Sequence, residues 1–291
     1  MRLGAHIGIS RGLAWTAAEA IRLKCECLQI FLSNPRGWAP AVPDDPDVAA
    51  EWRSTLAGHR ISPVVGHSSY LVNLASPDPE LRRKSLASLA ADMRRGTALG
   101  VGVLIVPGGS HMGAGAAEGQ RAMGAALREL SQMAGDAMLV LIENTAGAGS
   151  SMNCQFEEMA GTLAAAGDAS NLGICLDTCH LHVAGYDLSR ANGARDMLEQ
   201  FEGLVGLSRS GAMHLNDAKY PAGSRRDAHT HIGQGTIGRE GFRVLATDAR
   251  LADLPGVIET PKENHADTRN LRLLRQLRGN GATRRAARAS R

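Results

Sequence analysis

The sequence predicts an α/β fold, a single (β/α)8 (TIM) barrel whose site lies at the C-terminal mouth of its strands. Three observations carry that expectation. Short apolar, β-branched runs recur roughly every 30 to 40 residues, segments of helical spacing rich in Ala, Leu, Arg and Glu separate most of them, and a polar residue closes most of the runs. Eight such units in 291 residues suit one barrel, an architecture that commonly takes about 250. A doubly wound open sheet is the competing arrangement, and no Gly-x-Gly-x-x-Gly follows the first run to favour it.

In chain order, the first strand is expected over 3–7 with its helix over 15–23, and the second pair over 28–32 and 46–58. The third strand falls at 62–66 and its helix at 79–99, where Arg82, Arg83, Lys84, Arg94 and Arg95 read as the polar side of an amphipathic barrel helix. The fourth pair is expected over 103–106 and 118–134, and the fifth over 138–142 and 155–165. Residues 137–142 are the longest clean apolar run, far short of the roughly 18 residues that a membrane helix needs. The sixth pair falls at 172–176 and 190–201, the seventh at 212–215 and 239–247, and the eighth at 257–258 and 268–277. Residues 1–278 therefore form one expected domain, and 279–291 a basic tail expected to be disordered, because Gly, Asn, Ala, Thr and Arg cannot bury a core there.

Charge and cysteine content narrow the classes. Seven arginines stand between Arg272 and the C-terminus with no acid, so removing them from the formal +3 leaves the rest of the chain at −4. Five cysteines, an odd number without a Cys-x-x-Cys pair, argue against a disulfide scaffold and against a cysteine zinc ribbon. Arg2 is followed by no sustained apolar stretch and no cleavage site, so a cytoplasmic location is expected, with no membrane partner.

In such a barrel the chemistry sits where the strands end. Strand three ends in His67, strand four leads through Pro107-Gly108-Gly109-Ser110 to His111, strand five ends in Glu143 and strand six in Asp177. Strand seven carries His214 and strand eight ends in Glu259, while His180, Asp227 and His229 follow strands six and seven. Nine imidazoles and carboxylates thus converge on one mouth. Unoccupied, the carboxylates would repel and raise one another's pKa, a burden that divalent cations remove. Mixed His and carboxylate ligation suits zinc or manganese better than calcium or magnesium, and nine ligands exceed what one tetrahedral ion uses. Clusters of this kind activate water for in-line displacement at phosphorus, so a phosphodiester is the natural substrate.

Longer motifs give the set a likeness. Gly4-Ala5-His6, Asn34-Pro35-Arg36-Gly37-Trp38, His67-Ser68-Ser69-Tyr70-Leu71, Pro107-Gly108-Gly109-Ser110-His111 and Glu143-Asn144-Thr145 are followed by Asp177-Thr178-Cys179-His180, His214-Leu215-Asn216-Asp217, Asp227-Ala228-His229 and Ile258-Glu259-Thr260. In that order they resemble the endonuclease IV family of zinc-dependent apurinic/apyrimidinic endonucleases (AP endonuclease family 2), from Leu3 to Glu259. The resemblance implies three zinc ions: His67, His111 and Glu143 on the first, Glu143, Asp177, His214 and Glu259 on the second, and His180, Asp227 and His229 on the third. His67, His111, Glu143, Asp177, His214 and Glu259 would be the catalytic set, with a hydroxide between the first two ions attacking phosphorus on the 5′ side of an abasic site. The products would carry a 3′-hydroxyl and a 5′-deoxyribose phosphate, and blocked 3′ ends would also be trimmed.

The same likeness makes damaged double-stranded DNA the partner, a monomer the working state, and Arg36, Tyr70 and Leu71 the residues that enter the minor groove while the baseless nucleotide flips out. Association with the nucleoid through DNA follows. Gly37, Ala228 and Gln234 stand where the family pattern has longer or charged side chains, yet every ligand position is filled. A xylose isomerase-like sugar isomerase or epimerase is the alternative, since it shares the architecture. It needs only one or two metals and has no use for His180 with Asp227 and His229. His6 is expected to stand behind the ligands rather than among them, His182 to point elsewhere, His231 to stay off the metals, and His59 and His265 to be exposed.

Overall fold

A computed structural model describes residues 1–39 and 42–289, with side chains described as far as 279. The chain opens with β1 (Arg2–His6), α1 (Leu13–Arg22), β2 (Cys27–Phe31), α2 (Pro46–Gly58), β3 (Val64–His67) and α3 (Pro79–Ala98). Next come β4 (Val103–Val106), α4 (Ala116–Ala134), β5 (Leu139–Glu143), α5 (Phe156–Ala165), β6 (Leu172–Asp177), α6 (Thr178–Ala184) and α7 (Ala191–Leu204). After β7 (Ser210–His214) a small antiparallel ribbon, β8 (Asp217–Ala218) and β9 (His229–Thr230), precedes α8 (Gly238–Thr247), β10 (Pro255–Ile258) and α9 (Ala266–Ala289).

Neighbouring strands pair in parallel in the order β1-β10-β7-β6-β5-β4-β3-β2, and β2 closes back on β1. The expected (β/α)8 barrel is the observed fold. Period-two alternation then decides which residues face the axis. Val65, Val103, Ile105, Leu141, Cys175 and Ala212, from β3 to β7, form one buried cluster of their own, which only the barrel interior can assemble. Leu28, Ile30, Leu104, Val140, Ile142 and Ile174 face the other way, into a second core shared with Trp52, Leu127, Phe156, Phe201 and Phe242 of the helices. Two residues beyond Val65, Leu141, Cys175 and Ala212 stand His67, Glu143, Asp177 and His214, which therefore also point inward.

The helices start where local chemistry lets them. Asp45 and Asp78 cap α2 and α3, each accepting an amide N–H while proline takes the first helical position, where no N–H is needed. A reciprocal Gln155–Glu158 capping box opens α5. Helices α4 and α5 touch through Gly124: a Cβ there would lie 2.6 Å from Ala165 Cβ and 2.8 Å from its carbonyl oxygen.

Some boundaries differ from expectation. Strand β3 begins at Val64 instead of 62, since Pro63 has no N–H for the ladder. Helix α6 was not expected; it starts because Asp177, the last residue of β6, accepts the His180 N–H at 2.9 Å and caps it. The β8/β9 ribbon was not foreseen either, two residues per strand being too short for any periodic signal. The backbone of α9 runs on past the boundary set at 278, while the side chains of the expected basic tail lie outside the described residues.

Candidate metal centre

The register brings the predicted residues to one level. Asp177 of β6 lies opposite His214 of β7, after a shift in register between Ile174 and Cys175, and Glu143 of β5 lies opposite Cys175. One potential ligand atom each from Glu143, Asp177, His214 and Glu259 falls within 4.8 Å of all the others, and the same holds for His180, Asp227 and His229. A third grouping substitutes Cys179 beside Asp177 and His229, but burial pushes that thiol well up and its Sγ lies 3.7 Å from the Ala228 carbonyl oxygen.

Hydrogen bonding sets the imidazoles. His67 Nδ1–H donates to the Ser68 carbonyl (2.8 Å), leaving Nε2 3.3 Å from Glu143 Oε2. His180 Nδ1–H donates to the Asn144 carbonyl (2.8 Å), leaving Nε2 3.2 Å from Asp227 Oδ2. For His214 it is Nε2–H that donates, to Gln29 Oε1 at 2.8 Å, so that Nδ1 faces Glu143 Oε1 at 2.8 Å, Glu259 Oε2 at 3.2 Å and Asp177 Oδ2 at 3.8 Å. Each ring thus spends its N–H outside the cluster and aims a lone pair at carboxylate oxygens, the pattern of a metal-ligating histidine with its orienting partner. His229 Nε2 is buried without a hydrogen-bond partner, 3.5 Å from Asp227 Oδ1 and 3.7 Å from Asp177 Oδ2. Lone pairs facing carboxylates across such gaps repel unless a cation intervenes, and the donor set fits a divalent ion.

The titration behaviour has the same origin. Burial opposes charge on His214, but Cys175, Glu259 and Glu143 outweigh it and raise the ring well above the usual imidazole value. Burial likewise opposes charge on His180, and Asp177, Asp227 and Glu143 raise it well above. Glu143 lies well below the carboxylate range, as His214 and His67 outweigh its burial; Glu259 is brought to about 2 against its burial, chiefly by His214. With no cation between them the rings would take up protons to offset the carboxylates, the positive charge that a bound divalent ion would supply in their place.

Residues around these candidate groups carry a fainter signal in the sequence. Gln29, a polar residue inside the buried strand β2, donates from Nε2 to Glu259 Oε1 (2.7 Å) and to His6 Nδ1 (3.0 Å) while accepting from His214. Asn216 donates to Asp177 Oδ2 (2.7 Å) and accepts the Glu259 backbone N–H (2.8 Å). Asn144 accepts the Asp177 N–H at 2.6 Å. A lone Gln in an otherwise apolar strand was the one available signal. His6 stands behind Glu259, and burial drives its pKa down to about 3.

His111 is set apart. Its Nδ1 accepts the amide N–H groups of Gly113 and Gly115, both at 3.2 Å, and it joins no ligand-distance group among the described residues. His182 turns away to Leu188 and Thr236, His231 bonds Glu263 and Asn270, and His59 and His265 are exposed.

The proposed DNA-contacting residues share one rim. The Tyr70 N–H donates to the Pro35 carbonyl (3.0 Å), and Ser69 Oγ donates to the same oxygen (3.0 Å), so the loops bearing Arg36 and Tyr70 are stitched together. Tyr70 packs edge-on against Phe31 and His67, yet 56% of it is exposed; Leu71 is 37% exposed, and Arg36 is exposed.

Known proteins share both the barrel and the sequence. The model of the AP endonuclease 2 family, described as a xylose isomerase-like TIM barrel, matches residues 17–279. A "Probable endonuclease 4" of Chloroflexus aurantiacus is 42% identical over 279 residues, covering 95% of this chain and 98% of its own. The crystal structure of endonuclease IV from Thermus thermophilus superposes with a TM-score of 0.85 at 36% identity, covering 96% of this chain and all of that one. A D-tagatose 3-epimerase-like protein superposes at 0.75 with 16% identity over 98% of this chain and 99% of its own, a likeness of fold alone. With its ligand groups at the strand ends and relatives of this identity spanning its length, the chain belongs to the endonuclease IV family.

Proposed function

We propose that this chain is a DNA-repair endonuclease that hydrolyses the phosphodiester bond on the 5′ side of abasic sites, leaving a 3′-hydroxyl and a 5′-deoxyribose phosphate, and that also trims blocked 3′ ends. The observation that carries the reading is the buried, unpartnered Nε2 of His229, flanked by carboxylate oxygens of Asp177 and Asp227. The printed names of the relatives, endonuclease 4 and endonuclease IV, support it.

His180, Asp227 and His229 would hold one zinc, Glu143, Asp177, His214 and Glu259 a second, and His67, His111 and Glu143 a third, with manganese taking some of these places. When bound, zinc supplies positive charge that makes water nucleophilic near neutral pH and offsets the charge on the phosphate oxygens. The chain's own residues do the arranging. Glu143 turns Oε2 to His67 and Oε1 to His214, tying two ligand sets together. Gln29 and Asn216 fix His214, Asp177 and Glu259 in their orientations. Arg36, Tyr70 and Leu71 would enter the minor groove, where a nucleotide without a base is extruded at the lowest stacking cost. The partner is damaged duplex DNA, met as a monomer in the cytoplasm and nucleoid.

The test is incision of a duplex carrying one tetrahydrofuran abasic analogue, with metal content measured on the same sample. The analogue cannot undergo β-elimination, so a 3′-hydroxyl product requires hydrolysis. Expected is a cut at the lesion that is absent from the undamaged duplex, lost on chelation and restored by zinc. No cut by the fully metallated protein would overturn the reading.

A further inference from the structure

We propose that Asp217 is the positioning residue that assembles the His180, Asp227 and His229 subsite, acting through the backbone of the loop behind it. The proposal rests on reading that trio as a metal site. Asp217 is fully buried, and backbone amides meet its carboxylate on both sides. Oδ1 accepts the N–H groups of Ala218 (2.9 Å) and Ile237 (3.0 Å), and Oδ2 those of Gly233 (2.8 Å) and Gly235 (3.1 Å). A carboxylate in such a cradle is stabilised by converging N–H dipoles without a partner cation.

The cradle is the neck of the loop that carries two of the three ligands. Asp217 pairs with Thr230 and Ala218 with His229 across the β8/β9 ribbon. Lys219 N–H donates to the Ala228 carbonyl (3.0 Å), and Thr236 N–H closes the far side on the Ala218 carbonyl (2.8 Å). His229, half-buried, lies between these ties, and Asp227, exposed, sits one residue beyond the Lys219–Ala228 tie. Neither sits on a barrel strand, unlike Glu143, Asp177 and His214, so the neck is what fixes their backbone. Gly235 completes the fit: a Cβ there would lie 2.4 Å from Asp217 Oδ1 and 2.3 Å from the Ala218 carbonyl oxygen.

Asp217→Asn keeps the shape but turns an NH2 group toward amide donors, and Gly235→Ala attacks the same cradle from the opposite side with Asp217 intact. Metal stoichiometry of the full-length protein, measured after dialysis against graded chelator, reads the outcome. Wild type is expected to hold three ions. Both variants are expected to hold two at chelator levels where wild type holds three, with affinity for the lost ion down about 10- to 100-fold, excess zinc restoring it, and faster hydrogen exchange confined to the amides of Ala218, Gly233, Gly235 and Ile237. Three ions held at wild-type affinity by both variants would overturn the proposal. So would loss of all ions together with a collapse in Tm, which would make Asp217 a residue of the fold at large. A wild-type protein that never holds an ion on His180, Asp227 and His229 would overturn the metal reading itself, before any variant is made.

Discussion

At the scale of single residues, Glu143 reaches across the cluster, one oxygen toward His67 and the other toward His214. Glu143→Gln replaces one of those oxygens with a donor and should lower turnover by about a thousandfold, together with a measurable loss of bound metal. Tyr70→Ala should do something different. The ring is more than half exposed and its packing partners are Phe31 and His67, so its loss should weaken binding to an abasic duplex by roughly tenfold, about 1.4 kcal/mol, with metal content unchanged in the same preparation. A Tyr70→Ala protein that bound abasic duplex normally would remove it from the contact surface. The candidate groups were legible in the sequence because His and carboxylates at strand ends are few and conspicuous, and the structure brings Glu143, Asp177, His214 and Glu259 together, and His180, Asp227 and His229 together. Their orientation was not: it depends on Gln29, Asn144 and Asn216, polar residues whose partners come from other strands. His111 shows the same limit, since its ring nitrogen is engaged by two glycine amides that no spacing rule announces.

At the scale of elements, the strands and main helices could be placed from periodicity, whereas α6 and the β8/β9 ribbon are created by tertiary hydrogen bonds and leave no periodic trace. Helix α3 carries a less obvious feature. Asp92 is buried with no cation paired to it, because Arg95, one turn on, is committed to Asp44 and the Leu32 carbonyl. Burial raises its pKa from 3.8 to about 6, against the lowering pull of Ser33, Arg95 and His67. The folded protein therefore holds this proton more tightly than the unfolded chain does. Stability from this group is fully present below 3.8 and is lost as the pH rises through about 6. Asp92→Asn should accordingly raise the urea midpoint at pH 8, by the equivalent of about 1–3 kcal/mol, and leave it nearly unchanged at about pH 4. At the α4–α5 contact, Gly124→Ala should lower stability by about 1–3 kcal/mol, read as a drop in Tm, since the added methyl has no room beside Ala165.

At the scale of the whole molecule, closure of the barrel is what turns scattered strand ends into one site, and closure is a global property that eight local patterns only imply. The cluster would couple back to stability, since buried Glu143 and Asp177 and half-buried Glu259 around His214 would gain a partner if cations bind. Stripping metal with a chelator should abolish incision and lower Tm by roughly 10 °C, and zinc should restore both. An unchanged Tm would mean that the ligand groups are satisfied by one another. The apolar layer of Val65, Ile105, Leu141, Cys175 and Ala212 lies directly beneath His67, Glu143, Asp177 and His214 and gives the well a dry floor. With that layer below, the cluster opens toward the C-terminal ends of the strands, the side over which a duplex would dock under the proposed function, so the groups that meet the phosphate stand on an apolar base and not in a water-filled channel through the barrel.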